Sequence, residues 1–304
     1  MYEAVKTAPH GADGGREELR GVRRVAVPAF AMLPAPARKS ILHALGKYAP
    51  WEEGFDPSPP QTVGDEVTGA PDFVGIGAQK AGTTWWYDLV CAHPGVYDRT
   101  DIHKERHFFD RYTVRSFGPA ECSLYHDWFP RPPGRLTGEW TPDYLHLPWV
   151  PALMARAAPH TRLLALLRDP VERFRSGLAH QRRHQGRLTM DTYQDAIARG
   201  FYHDTLSRWS QHFASDQILL LQYERCVSDP QRELARTFRF LGLEPFVPHG
   251  IGNRVNTTPR SLELDEDVRR RLVELYSSDV LALSSRFPDL NLSLWPNFSD
   301  FGSR

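Results

Sequence analysis

The chain has 304 residues, 41% of them hydrophobic, enough for one large domain or two small ones with a well-buried core. Its 37 basic and 37 acidic residues cancel, so the charge balance marks neither a nucleic-acid binder nor a polybasic membrane protein. Cys91, Cys122 and Cys226 are too few and too scattered for a disulfide framework or a metal-ligand set, so no metal is expected and a reducing compartment fits best.

Residues 1–70 read as an N-terminal extension and 71–304 as the main domain. The extension is rich in Pro, Gly and Ala and begins with polar residues, which is unlike a secretory signal. Its most apolar stretch, residues 25–33, contains Pro28 and is too short to span a bilayer. A cytoplasmic protein is expected. Residues 40–48 have the pattern of a short amphipathic helix, and membrane contact, if any, would come from there.

From Asp72 the pattern changes. Residues 72–77 form a short apolar run expected to be a buried strand, followed by a Gly-bearing turn and a helix over 83–92 that Pro94 and Gly95 end. Residues 162–167 are a second buried strand, leading through Arg168-Asp169-Pro170 into a helix that reaches about residue 184; proline suits a first helical turn. A third strand is expected over 217–222, with helices over 230–241, closed by Gly242, and over 263–286. Apolar strands alternating with helices imply a parallel sheet covered on both faces, a P-loop-like three-layer α/β fold.

The turn after the first strand is a phosphate cradle by construction: backbone N–H groups and the positive end of a helix dipole converge there. Gly77 and Gly82 have the spacing of a nucleoside-triphosphatase loop, but Thr83 stands where the lysine belongs, and the lysine comes earlier as Lys80. The chain has only five lysines, Lys6, Lys39, Lys47, Lys80 and Lys104, so one inside a motif stands out. The segment Lys80-Ala81-Gly82-Thr83-Thr84 resembles the 5′-phosphosulfate loop of sulfotransferases, and Arg168 with Ser176 resembles the pair with which that family grips the 3′-phosphate of its donor.

Further segments resemble the heparan sulfate branch. Lys104-Glu105-Arg106-His107-Phe108-Phe109-Asp110 is similar to its Lys-Glu-x-His-Phe-Phe segment, and Gly138-Glu139-Trp140-Thr141-Pro142-Asp143-Tyr144 to its Glu-Lys-Ser/Thr-Pro-x-Tyr segment. Residues 217–243 match its late strand–helix unit, and Arg254-Val255-Asn256 sits where the family places a loop that closes over the donor. Two departures concern the acceptor side: Trp140 replaces a lysine, and the Lys-Gly-Arg run of the closing loop is absent, with Arg254 or Arg260 as possible substitutes.

The resemblance implies in-line transfer of a sulfuryl group from 3′-phosphoadenosine 5′-phosphosulfate (PAPS) to a hydroxyl, or in second place an amine, of a carbohydrate, lipid or natural-product acceptor, with 3′-phosphoadenosine 5′-phosphate (PAP) as the other product. The absence of a Golgi-type membrane anchor points to a bacterial member. The implied roles are Lys80 on the leaving oxygen, Gly82, Thr83 and Thr84 on the phosphosulfate, Arg168 and Ser176 on the 3′-phosphate, Arg254 and Asn256 in the closing loop, and Trp85 as a wall for adenine. Glu105 is the implied general base, with His107 a rival and Glu139 a weaker one. Its cationic neighbours would keep Glu105 ionised. The basic stretch His180, Arg182, Arg183, His184 and Arg187 can attract an anionic acceptor or form a solvated face. Two other readings stay open: a P-loop kinase or nucleotide triphosphatase, in which Asp169 would hold magnesium, and an inactive nucleotide-binding scaffold.

Overall fold

The computed structural model describes residues 58–99, 101–252 and 262–303, together with Ile41; the side chains of residues 184, 185, 302 and 303 are not described. The closing-loop residues Arg254, Asn256 and Arg260, and the amphipathic stretch 40–48 apart from Ile41, lie outside them. The chain divides between Asp56 and Pro57, and the unit from Pro57 onward contains all the elements that follow.

Those elements are β1 (Phe73–Gly77), α1 (Thr83–Cys91), α2 (Pro119–His126), β2 (Gly138–Trp140), α3 (Val150–Ala157), β3 (Arg162–Leu167), α4 (Pro170–Gln185), α5 (Met190–Ala198), α6 (Tyr202–Trp209), β4 (Ile218–Gln222), α7 (Tyr223–Ser228), α8 (Pro230–Phe240) and α9 (Glu266–Arg286). The four strands form one parallel sheet in the order β2-β1-β3-β4. Every residue of β1, β2 and β4 is buried, as are all of β3 but Arg162, which is what continuous apolar runs covered on both faces require. β2 is the strand that hydropathy does not announce: Gly138-Glu139-Trp140 is short and carries a carboxylate.

The chain leaves β1 toward β2 on one side and leaves β3 toward β4 on the other. Right-handed crossovers therefore put α1 and α4 on opposite faces. Contacts agree: α1 packs against α8, whereas α4 packs against α5 and α9. The carboxyl ends of β1 and β3 thus flank a topological switch point, the crevice in which open α/β sheets hold ligands.

One local fit joins β1 to β2. A Cβ on Gly75 would lie 1.9 Å from the Trp140 ring, so glycine is required for the indole to lie flat against the strand. Trp140 is fully buried by this packing.

Candidate active site

The loop after β1 is built of main chain. Ala78 N–H donates to Leu166 O across the sheet at 2.7 Å, and Ala81 N–H closes a turn onto Ala78 O at 3.2 Å. Lys80 has φ 68 and Gly82 φ 86, both left-handed, so the chain doubles back before the helix starts. Gly82 is the N-cap of α1 and, having no side chain, caps nothing. The first-turn N–H groups of α1 therefore keep their hydrogens for an outside acceptor. A Cβ at Gly82 would meet the Tyr223 ring at 2.9 Å, with Trp85 next at 3.8 Å. An uncapped helix start, a lysine in the preceding turn and a cradle that a methyl group would crowd are what a 5′-phosphosulfate needs.

Arg168 leaves the end of β3 beside this loop. Its Nη1 donates to Lys80 O at 3.3 Å and its guanidinium stacks over the Tyr223 ring, 4.9 Å from the centroid. Its backbone is held as well, since Tyr202 OH donates to Arg168 O at 2.9 Å. Ser176 lies further along α4 and is half-buried. Tyr223, at the end of β4, thus touches both the loop and Arg168. Sequence reasoning gives it no role of its own beyond the 217–243 unit; its one signal is a tyrosine directly after an apolar run.

Asp169 is not a metal ligand in waiting. It caps α4, with Oδ1 accepting from Val171 N–H and Glu172 N–H, and Oδ2 accepts from Asn297 N–H and Nδ2–H at 2.9 Å each. Four donors occupy a carboxylate with about four acceptor positions. The magnesium role required by a kinase or triphosphatase is closed to it. Nor does it pair with Arg168, whose nearest carboxylate is Glu172 at 3.9 Å. Glu224 supports the same corner, accepting from Asp169 N–H and Trp295 Nε1–H; burial raises its pKa to about 7.

The opposite wall is residues 104–110, laid along β2 and the turn after it. Trp140 N–H donates to Lys104 O at 3.0 Å, Arg106 N–H donates to Glu139 Oε2 at 3.2 Å, and Phe108 N–H donates to Tyr144 OH at 2.9 Å. His107, between them, has φ 50, a left-handed backbone that costs a non-glycine residue about 1 kcal/mol or more. The flanking bonds hold it there. Glu139 is fully buried, accepting also from Tyr125 OH and Thr141 Oγ1–H at 2.6 Å each. Burial raises its pKa, and the Thr141 and Tyr125 donors oppose the rise. It offers no oxygen to the crevice, which removes it as a rival base and makes it the brace of the segment that carries Glu105.

Glu105 lies near enough to the donor loop to act on the charge of Lys80, and His107 sits beside Glu105. Glu105 Oε1 receives Lys104 Nζ at 2.6 Å, and Oε2 meets His107 Nε2 at 3.3 Å. His107 Nδ1 is 2.7 Å from Asp110 Oδ2 and 4.0 Å from Asp143, which is itself paired with Arg199. Burial works against the Glu105 carboxylate, but hydrogen bonds from His107 and Lys104 outweigh it and hold the pKa at about 2. The hydrogen bonds to Asp110 and Glu105 raise His107 to about 10. At neutral pH His107 is therefore an imidazolium, unable to accept a proton, and the ionised Glu105 is the group with basic lone pairs. The same protonation argues against a cation among His107, Asp110 and Asp143, although their ligand atoms lie within 4.8 Å of one another.

Burial lowers Lys80 to about 8; Glu105 opposes that change, and Arg183, late in α4, adds to it. The donor loop, Glu105 and the basic end of α4 thus lie close enough to act on one another.

Residues 70–249 match the family model described as the sulfotransferase domain. The chain belongs to the sulfotransferase family. It is 29% identical over 280 residues to human (Homo sapiens) heparan sulfate glucosamine 3-O-sulfotransferase 3B1, covering 77% of this chain and 69% of that protein. To the mouse (Mus musculus) enzyme of the same name it is 32% identical over 213 residues, 63% of this chain and 52% of that protein. The chain therefore spans between about half and two thirds of the length of these relatives. Among solved structures, a sulfotransferase from Alicyclobacillus acidocaldarius superposes with a TM-score of 0.59 at 26% identity, over 74% of this chain and 98% of that one. Membership makes the protein a PAPS-dependent sulfotransferase, with the P-loop-like α/β fold of that family.

Within this sulfotransferase, the expected donor residues Lys80, Ala81, Gly82, Thr83, Thr84 and Arg168 lie together around one switch point. Trp85 flanks Gly82 and is only 3% exposed, its indole N–H without a partner among the described residues. Trp140, in place of the branch's lysine, turns into the sheet and brings no charge to the crevice.

Proposed function

We propose that the chain moves the sulfuryl group of PAPS to a hydroxyl of a carbohydrate acceptor, with Glu105 as general base. The observation that carries this reading is the nearness of Glu105 to Lys80: the carboxylate lies close enough to act on the ammonium's charge, as a base and a leaving-oxygen cation of one displacement site would. The acceptor oxygen forms the new S–O bond while the S–O bond to the 5′-phosphate breaks, and PAP departs. Glu105 takes the acceptor proton. Lys80 and the first-turn N–H groups of α1 meet the charge that develops on the leaving oxygen. Arg168, stacked on Tyr223 and aided by Ser176, takes the 3′-phosphate with its planar fork.

The named substrate of the relatives, heparan sulfate glucosamine, supports a carbohydrate; a lipid or natural product ranks next because the Trp140 side differs. The sulfotransferase domain is taken as residues 71–304 and residues 1–70 as its extension. A cytoplasmic location is supported by Cys91, Cys122 and Cys226, all unpaired. No helix among the described residues is long and apolar enough to cross a membrane.

The test is incubation with sulfur-labelled PAPS and a panel of glycans, lipid extracts and small-molecule extracts, followed by mass analysis of what gains a sulfuryl group. Calorimetry alongside compares PAP with ATP and magnesium. Tighter binding of the latter, or label appearing in none of the extracts, would sink the proposal.

A further inference from the structure

Glu105 is well placed but poorly tuned to act as a base while Lys104 and His107 both hold it. Proton transfer is most effective when the base's pKa lies near the working pH. Two cations, Lys104 and His107, hold this carboxylate far below that. The two are not equivalent. His107 is fixed from behind: Asp110 holds its Nδ1, Asp143 stands 4.0 Å away, and the backbone bonds of the segment pin its main chain. Lys104 is held less firmly at its ammonium. Among the described residues its ammonium makes one hydrogen bond, to Glu105 Oε1 at 2.6 Å, although its main chain is tied to β2 through Trp140.

The surroundings of that ammonium indicate a second destination. Lys104 and Lys80 stand near enough to repel each other, and Asp88 on α1 also feels Lys104. Lys80 belongs to the cradle for the 5′-phosphosulfate. The anionic oxygens of a bound donor therefore enter a space already flanked by both lysines. A lysine is a compact charge on a flexible four-carbon stem, suited to exchanging one oxygen partner for another a few ångströms away. Its side chain is only 14% exposed, so water screens that exchange weakly.

We propose that Lys104 is a second donor-side cation that masks the base: it holds Glu105 Oε1 while the crevice is empty and moves to the sulfonate oxygens of the donor when PAPS binds, freeing Glu105 for the acceptor hydroxyl. His107 stays with Asp110 and keeps Glu105 oriented. The inference rests on the donor and base assignments above. It predicts that the base becomes competent only after the donor has arrived. PAP, which lacks the sulfonate, does not draw Lys104 away.

The experiment is a binding cycle that needs no turnover. Dissociation constants for PAPS and for PAP are measured by calorimetry, without acceptor, for the wild type, Glu105→Gln, Lys104→Met and the double variant. Removing a carboxylate helps any anion somewhat, and that general effect is present in both lysine backgrounds. The excess is what counts. Glu105→Gln should tighten PAPS roughly three- to tenfold more with Lys104 present than with methionine there, the span expected of a partly screened ion pair. No excess should appear with PAP. Equal tightening in both backgrounds, or the same excess for PAP, would overturn the exchange. PAP affinity also serves as the control for folding and for the donor site. A wild type that fails to bind PAP would overturn the donor assignment itself. Intact PAP binding without the excess removes only the role of Lys104. If Lys104→Met fails to fold, Lys104→Gln completes the same cycle.

Discussion

The two walls of the crevice are built differently. The donor wall is main chain: left-handed turns at Lys80 and Gly82, an uncapped helix start, and Arg168 at a strand end. The acceptor wall is side chain: Glu139, Thr141 and Tyr144 hold residues 104–108, and His107, Asp110, Asp143 and Arg199 form a charged chain behind Glu105. A main-chain cradle depends on a few glycines and a helix start, so it tolerates change elsewhere. A side-chain wall can be re-specified one substitution at a time, and there the chain departs from the heparan sulfate branch, with Trp140 turned into the sheet.

This contrast can be broken most forcefully at Glu105. Glu105→Gln should cut turnover by about 10²–10⁴, the usual contribution of a general base, while PAP still binds. Turnover surviving in that variant would move the base elsewhere. The next effect belongs to Glu139, which never meets a substrate. In Glu139→Gln an amide replaces a carboxylate that only accepts, so at least one of its donors is stranded, at a cost of about 1–3 kcal/mol. The expected result is a lower melting temperature with turnover reduced more than PAP affinity. The ratio of kcat to KM effects, with Tyr125→Phe as a comparison that removes a donor instead, separates positioning from general instability. An equal loss of PAP binding would show that the two walls do not act independently.

Much of the donor wall was legible in the sequence, and for a physical reason. Residues 73–77, 163–167 and 218–222, within the expected runs 72–77, 162–167 and 217–222, are buried in the sheet, and the loop and Arg168 follow directly from strand ends. The observed boundaries differ mainly where side chains intervene: α9 starts at Glu266, where Asp265 caps it, and residues 215–217 form a 3₁₀ turn before β4. The acceptor wall was legible only in part. Glu105 and His107 were visible by resemblance. Glu139 was placed among candidate bases, because nothing in a sequence tells a buried carboxylate with several donors from one facing a crevice. The pairing of Asp143 with Arg199, 56 residues apart, has no local signature.

A smaller effect is expected at Arg168. Arg168→Ala should weaken PAP by about ten- to a hundredfold, the loss of charge-assisted bonds to phosphate. Tyr223→Leu, which removes the ring beneath the guanidinium, should cost less. Calorimetry orders the two; wild-type affinity in Arg168→Ala would take the 3′-phosphate away from this corner.

A pH titration sharpens the comparison because its two readouts have opposite signs. Burial lowers Lys80 from the ordinary lysine value of 10.5 to about 8 in the donor-free protein. The folded state therefore releases that proton more readily than the unfolded chain. Between about pH 8 and 10.5 the unfolded chain binds more protons, so this group makes stability rise with pH across that window. Donor binding needs the charged form and should weaken over the same range, by up to about tenfold for each pH unit above 8. The second ionisation of the donor's 3′-phosphate, near pH 6, is already complete there. Lys80→Met should flatten both trends: PAP affinity, already lower, should lose its alkaline fall, and melting at pH 7 should improve relative to wild type. If PAP affinity declined above pH 8 as steeply in Lys80→Met as in wild type, Lys80 would not be the cation whose charge donor binding needs.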